Sequence, residues 1–230
     1  MQWRQKILAT GVFAITMAYL EGAVVVYLRQ VYNIEDVVRD YVGVLDQITF
    51  VELGREAATL IMLLAFGWAV GRCLQDRIGY AMLTFGVWDI TYYGWLRLFL
   101  GWPRSLLEWD VLFLLPLPWW GPVIAPMLIA FLMALAGVLL TGQTDAKQRL
   151  HLGPIQWGLG ISGALLCLYT FMADAIAALP GGLETVANVR PSRFNWPLFW
   201  LGYALLCLPV WTGRWVPESV RVQPQKSENN

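Results

Sequence analysis

Stretches of about 20 predominantly apolar residues recur along the whole chain, at 7–28, 48–71, 78–99, 122–141, 155–179 and 196–211. A helix rises about 1.5 Å per residue, so the first five are long enough to cross a hydrocarbon core of about 30 Å. The sixth, with 16 residues, suffices if Asn195 and Thr212 lie at the two interfaces. The pattern predicts an all-α fold, a polytopic transmembrane helical bundle of about six spans. Residues 1–215 are expected to form a single transmembrane domain, and 216–230 a disordered cytoplasmic tail. Composition excludes the soluble alternative. The chain is 58% hydrophobic and 14% charged, against about 45–50% and 25% in a soluble domain, and that much apolar surface cannot be hidden from water. Arg4 and Lys6 precede the first run as in a signal peptide. The run continues past Glu21 to Leu28 without a small-residue cleavage site, however, and is read as a retained helix.

Charge narrows the function classes. With 16 basic and 16 acidic residues and no net charge, the chain lacks the clustered positive footprint that nucleic-acid binding needs. Cys167 and Cys207 fall in apolar runs and Cys73 in a short connection, so no disulfide framework is indicated. Cytoplasmic ends of spans are enriched in Lys and Arg. The tight connections around Arg72 and Arg77 and around Lys147 and Arg149 fall on one side together with Arg4 and Lys6. Both termini are therefore expected in the cytoplasm, in a multi-pass protein of a bacterial-type inner (plasma) membrane.

Two outer segments carry local patterns. Val31, Ile34, Val38, Tyr41, Leu45 and Ile48 recur at three- and four-residue intervals among acidic residues, which predicts an amphipathic helix on the outer side. Ser105 and Glu108 have capping-box spacing, which predicts a helix over 106–115 stopped by Pro116 and Pro118. Ten residues reach only about 15 Å, so this helix is expected to be re-entrant or interfacial.

The most informative residues are ionisable ones inside the spans: Glu21, Glu52, Arg55, Glu56, Asp89, Arg97 and Asp174. Each costs about 2.5–3.5 kcal/mol at a helix centre, so they must face the bundle interior, pair or reach water. All lie between the middle and the outer end of their spans. Glu52, Arg55, Glu56 and Thr59 share an arc of about 100° at 100° per residue. Asp89, Tyr93 and Arg97 form a second stripe, flanked by Trp88, Tyr92 and Trp95. Gln156, Gly160, Gly163, Cys167, Thr170 and Asp174 form a third, and Thr10, Ala14, Ala18 and Glu21 a fourth. Four spans are thus expected to converge on one outer-half cavity, with Asp110 at its rim. Simpler roles exist for several members. Glu52 and Arg55 are spaced as an i,i+3 ion pair, Arg97 and Asp174 can snorkel to the surface, and Glu108 is spaced as a helix cap. Asp89 and Glu56 lie deepest, and intramembrane carboxylates mark sites or pathways.

The single histidine, His151, is far from this group. No haem or histidine-ligated metal is expected, and a Ser-His-Asp triad is excluded in practice. No nucleotide-binding or nucleophile-elbow motif occurs. Carboxylate chemistry remains. Oxygen ligands suit a divalent cation, and a desolvated acid suits general acid catalysis on a lipid or isoprenoid whose developing cation aromatic side chains stabilise. The favoured expectation is a membrane enzyme with Asp89 and Glu56 catalytic. Glu21, Glu52, Arg55, Trp88, Tyr92, Tyr93, Arg97, Asp110 and Asp174 would bind substrate, with Arg55 or Arg97 holding a head group. The alternatives are a non-catalytic accessory subunit of a larger membrane complex and a cation or proton transporter. Membrane lipids are expected partners in each case, with other membrane subunits in the second. A reporter fused after Asp46 is predicted to report the outer side; a cytoplasmic signal would invert the topology.

Overall fold

A computed structural model describes residues 2–40 and 47–218, apart from the side chain of Ile48. It is 74% helical, in agreement with an all-α membrane protein. Six long helices follow the six apolar runs: α1 (Trp3–Val31), α3 (Gln47–Val70), α4 (Leu74–Leu100), α5 (Ile124–Asp145), α6 (Pro154–Ala178) and α8 (Trp196–Thr212). Two short ones, α2 (Val37–Asp40) and α7 (Leu183–Ala187), lie in connections. Four helices, α1, α3, α5 and α6, are long and apolar enough to cross a membrane. α8 is apolar but has 17 residues. α4 has 27 residues but carries Asp76, Arg77, Asp89 and Arg97. Leu8, Ile61, Leu64, Phe131, Ile161 and Leu165 point outward and are exposed, a surface that lipid covers and water would not tolerate.

α4 is the hub, packing against α1, α3 and α5. Its contact with α5 is a backbone-to-backbone approach through small residues. A Cβ on Gly86 would lie 2.6 Å from the Ala134 amide nitrogen, and one on Gly137 would lie 2.6 Å from that of Leu83. Between membrane helices there is no hydrophobic drive beyond what lipid offers, so close van der Waals packing of this kind carries the association. α6 and α8 form a second pair on the same principle, with Gly163 against Gly202 and Leu206. Tyr203 Oη of α8 donates to Leu128 O of α5 at 3.2 Å and ties the pair to the hub.

Two two-stranded sheets close the ends. Strands β1 (Trp109–Val111) and β2 (Trp120–Pro122) pair antiparallel as a hairpin, with Asp110 opposite Gly121. Strands β3 (Gln148–His151) and β4 (Arg214–Pro217), which flank α6 to α8 in the chain, pair antiparallel with Leu150 opposite Trp215. Gln75 braces the second sheet. Its Oε1 accepts from Leu150 N at 2.8 Å, and its Nε2 donates to Thr144 Oγ1 at 2.8 Å.

Three local expectations are corrected. The helix expected over 106–115 is the β1–β2 hairpin. The capping contacts do form, since Ser105 N donates to Glu108 Oε1 at 3.2 Å and Leu107 N to Ser105 Oγ at 3.2 Å. They close a turn only, because Val123 N and Ile124 N then donate to Glu108 O and Leu106 O and draw the segment into a ladder. The outer amphipathic helix does not begin at Val31, and α2 is its described part. α1 runs on to Val31, and Asn33, with φ of 53°, turns the chain before α2; residues 41–46 lie outside the described residues. Val216 and Pro217, expected in the tail, are in β4, and Glu218 pairs with Arg149 at 2.8 Å; residues 219–230 lie outside the described residues.

The α4–α5 contact predicts an asymmetric response to alanine. Gly86→Ala is expected to lower the stability of the purified protein by about 1–3 kcal/mol through overpacking against backbone. Gly94→Ala, with nothing within 4 Å of the added carbon, is expected to leave it unchanged. Thermal unfolding in detergent checks the pair.

Candidate functional site

α4 presents Phe85, Trp88, Asp89, Tyr92 and Tyr93 to a cavity of about 270 Å³. The other walls are Glu21, Val25 and Arg29 of α1, Glu52, Arg55 and Glu56 of α3, and Asp110 to Leu114 of the hairpin segment. Pro126 and Ile129 of α5 and Phe171 of α6 complete it. Nine expected site residues line this one space: Glu21, Glu52, Arg55, Glu56, Trp88, Asp89, Tyr92, Tyr93 and Asp110. Of the α1 stripe only Glu21 reaches it, with Glu52, Arg55 and Glu56 of the α3 stripe and Asp89 and Tyr93 of the α4 stripe.

Arg97, Asp174 and the α6 stripe do not join them. Arg97 Nη1 donates to Pro103 O at 3.1 Å and to Gly101 O, beyond the end of α4. Free carbonyls at a helix C-terminus attract a nearby cation, and Gly101 takes the left-handed conformation there, with φ of 66°. Asp174 accepts from Ser192 N at 3.0 Å and Ser192 Oγ at 2.6 Å, holding the segment that enters α8. Gly163 and Cys167 face α8 rather than the cavity, and of α6 only Phe171 reaches it.

The ionisable groups inside the cavity differ in how they are satisfied. Arg55 Nε donates to Glu52 Oε1 at 2.8 Å, and Arg55 also pairs with Glu21. Glu21 Oε2 further accepts from Thr59 Oγ1 at 3.1 Å. One guanidinium between two carboxylates makes all three tolerable at this depth, because a buried charge is held by partners rather than by water. Glu56 is 5% exposed, and its two oxygens share the Leu114 N–H at 2.9 and 3.0 Å. It therefore anchors the strand-free arm of the hairpin to α3. Asp110 Oδ2 accepts from Tyr93 Oη at 3.2 Å, and its Oδ1 lies 4.0 Å from Arg29 Nη2. Burial pushes the Asp110 carboxyl up to about 6, against the opposing pull of Arg29 and Tyr93, so at neutral pH it is the charged partner that Arg29 faces.

Asp89 stands apart. It is 7% exposed, and its Oδ2 is buried with no hydrogen-bond partner among the described residues. The indole N–H of the adjacent Trp88 is likewise without an acceptor. Aromatic rings surround this corner: Trp88 and Tyr92 have centroids 6.4 Å apart, Tyr92 and Tyr93 5.1 Å, and Phe85 and Trp88 5.3 Å. A buried acceptor left open costs about 1–3 kcal/mol, more when charged, so a fold that retains one has a use for it. No group of three or more His, Cys, Asp or Glu side chains converges as a metal site among the described residues.

Sequence reasoning missed Arg29. It continues the α1 face through Glu21 and Val25 at four-residue steps, but the span was expected to end at Leu28, which put Arg29 in a loop. With α1 extended to Val31, Arg29 is 9% exposed and its guanidinium sits 4.1 Å from the Trp102 ring centroid. It also borders a wider outer cleft of about 1040 Å³, which shares Arg29, Ile34 and Val37 with the inner cavity.

No protein-family model, no curated protein and no solved structure matches the chain. The Glu56 contact makes its own prediction: Glu56→Ala is expected to speed amide hydrogen exchange at Leu114 by about tenfold or more, the worth of a hydrogen bond to a charged group. Exchange within α6 and α8 should be unaltered. Unchanged protection at Leu114 would remove Glu56 as the anchor.

Proposed function

We propose that α1, α3, α4, α5, α6 and α8 are the six spans of a bacterial-type inner (plasma) membrane protein with both termini cytoplasmic. In this reading the cavity receives the polar end of a lipid-soluble molecule, of the lipid or isoprenoid class, from the outer half of the bilayer, and Asp89 exchanges a proton with it as general acid–base. The span count is supported by length: 17 residues of α8 reach about 25 Å, and the 27 of α4 about 40 Å. An apolar substrate is supported by the walls that Val25, Phe85, Ile129 and Phe171 supply.

The observation that carries the chemistry is the Asp89 carboxylate, which lines an aromatic cavity with no hydrogen-bond or ion-pair partner among the described residues. A general acid or base must reach the proton it moves, and a carboxylate already committed to the protein's own donors is poorly placed to do so. That criterion separates Asp89 from Glu56, which Leu114 engages, and from Glu21 and Glu52, which Arg55 engages. Glu56 is then a positioning residue, setting the hairpin wall against α3. The neighbouring aromatic rings are suited to a cation developing on the substrate.

The test is mass spectrometry of small molecules that co-purify with the full chain in mild detergent, comparing wild type with Asp89→Asn. A bound lipid-soluble species is expected in the wild type, and Asp89→Asn is expected to change which species is held, read by mass and by chromatographic retention. Identical species would remove the acid–base role. No bound small molecule together with stoichiometric foreign chains would replace the enzyme reading with that of an accessory subunit.

A further inference from the structure

The charges lining the cavity are unbalanced in a way that bears on what enters it. Among the described residues six acidic side chains line it, Glu21, Asp40, Glu52, Glu56, Asp89 and Asp110, against Arg29 and Arg55, with Asp40 paired to Arg39 outside the lining. Neither guanidinium is available to an incoming anion. Arg55 is held between Glu52 and Glu21, and Arg29 faces Asp110 while covering the Trp102 ring. An anionic head group would enter a space whose cations are already taken and meet Asp89 with no counter-charge. This reverses the expectation that Arg55 or Arg97 grips a head group, since Arg97 is outside the cavity altogether.

We infer that the polar end of the molecule this cavity takes is a protonated amine, paired with the Asp89 carboxylate beside the Trp88, Tyr92 and Tyr93 rings. This rests on the reading of the cavity as a site for a lipid-soluble molecule and assigns the head-group chemistry within it. Three independent features agree. The Asp89 carboxylate lines the cavity with no donor or cation engaging it among the described residues, and an ammonium supplies both the charge and the N–H that a quaternary ammonium lacks. The surrounding carboxylate excess favours positive charge. Trp88, Tyr92 and Tyr93 line the same space, and aromatic rings favour a cation over a neutral hydroxyl. At about 270 Å³ the cavity is slightly smaller than the usual range for small-molecule sites, so it seats the head and first part of the chain, leaving the remaining hydrocarbon to the bilayer.

The inference is tested with four probes that share one twelve-carbon chain: dodecylamine, dodecyltrimethylammonium, dodecanol and dodecanoate. Each is bound to the full chain in zwitterionic nanodiscs, with empty nanodiscs subtracted. Dodecylamine is expected to bind about tenfold or more tighter than the other three, the range of a charge-assisted hydrogen bond. Asp89→Asn is expected to remove that preference, bringing dodecylamine to the level of dodecanol. Equal binding of alcohol and amine, tightest binding by dodecanoate, a quaternary head as good as the amine, or a preference that survives in Asp89→Asn would each overturn the head-group assignment and leave the cavity reading standing. Binding by none of the four would overturn both. The comparison among probes is made on the unaltered protein, so the outcome does not depend on the folding of the variant.

Discussion

Backbone contact between α4 and α5 sets the position of everything else in the outer half. In lipid, two apolar helices gain nothing by hiding side chains from each other that the acyl chains would not also provide, so shape has to do the work. Gly79 and Gly86 on α4 meet Gly137 and Ala130 on α5 with no room for a β-carbon. That closeness fixes the rotation of α4 about its own axis. The opposite consequence appears one turn beyond Gly86, where Trp88 and Asp89 are turned toward the space between α1, α3 and the hairpin.

Charge then distributes the roles. The bundle holds Glu21, Arg55 and Glu52 in one cluster and Asp110, Tyr93 and Arg29 in another, while Glu56 is committed to the Leu114 amide. Each of these arrangements is intelligible as the protein satisfying its own buried groups. Asp89 is the exception among the carboxylates of the cavity, with no donor or cation engaging it among the described residues. The same pairing disqualifies both lining arginines as anion receptors.

Much of this was legible in the chain itself. A 3.6-residue period and an apolar run are local properties, so the helices, the stripes on α1, α3 and α4, and the shared depth of their carboxylates follow from residue order. The segment around Ser105 and Glu108 shows the limit. Its capping contacts form as their spacing implies, yet the helix they would start does not, because Val123 and Ile124 offer their amides to the same stretch from the other side of a turn. The end of α1 shows another, since three extra residues of helix converted Arg29 from a loop residue to a wall of the cavity.

The sequence by itself therefore determined that the helices are suited to a bilayer and that their ionisable residues must face inward, because the penalty for a charge in lipid is paid wherever the helix goes. Only the tertiary structure decided which stripes meet. The α6 stripe turned to α8 because Gly163 and Gly202 permit that approach. Glu56 found its donor 58 residues away, and Asp89 found none among the described residues. Whether a buried carboxylate is structural or open to a ligand depends on partners contributed by other helices and loops, and no periodicity along one helix encodes them.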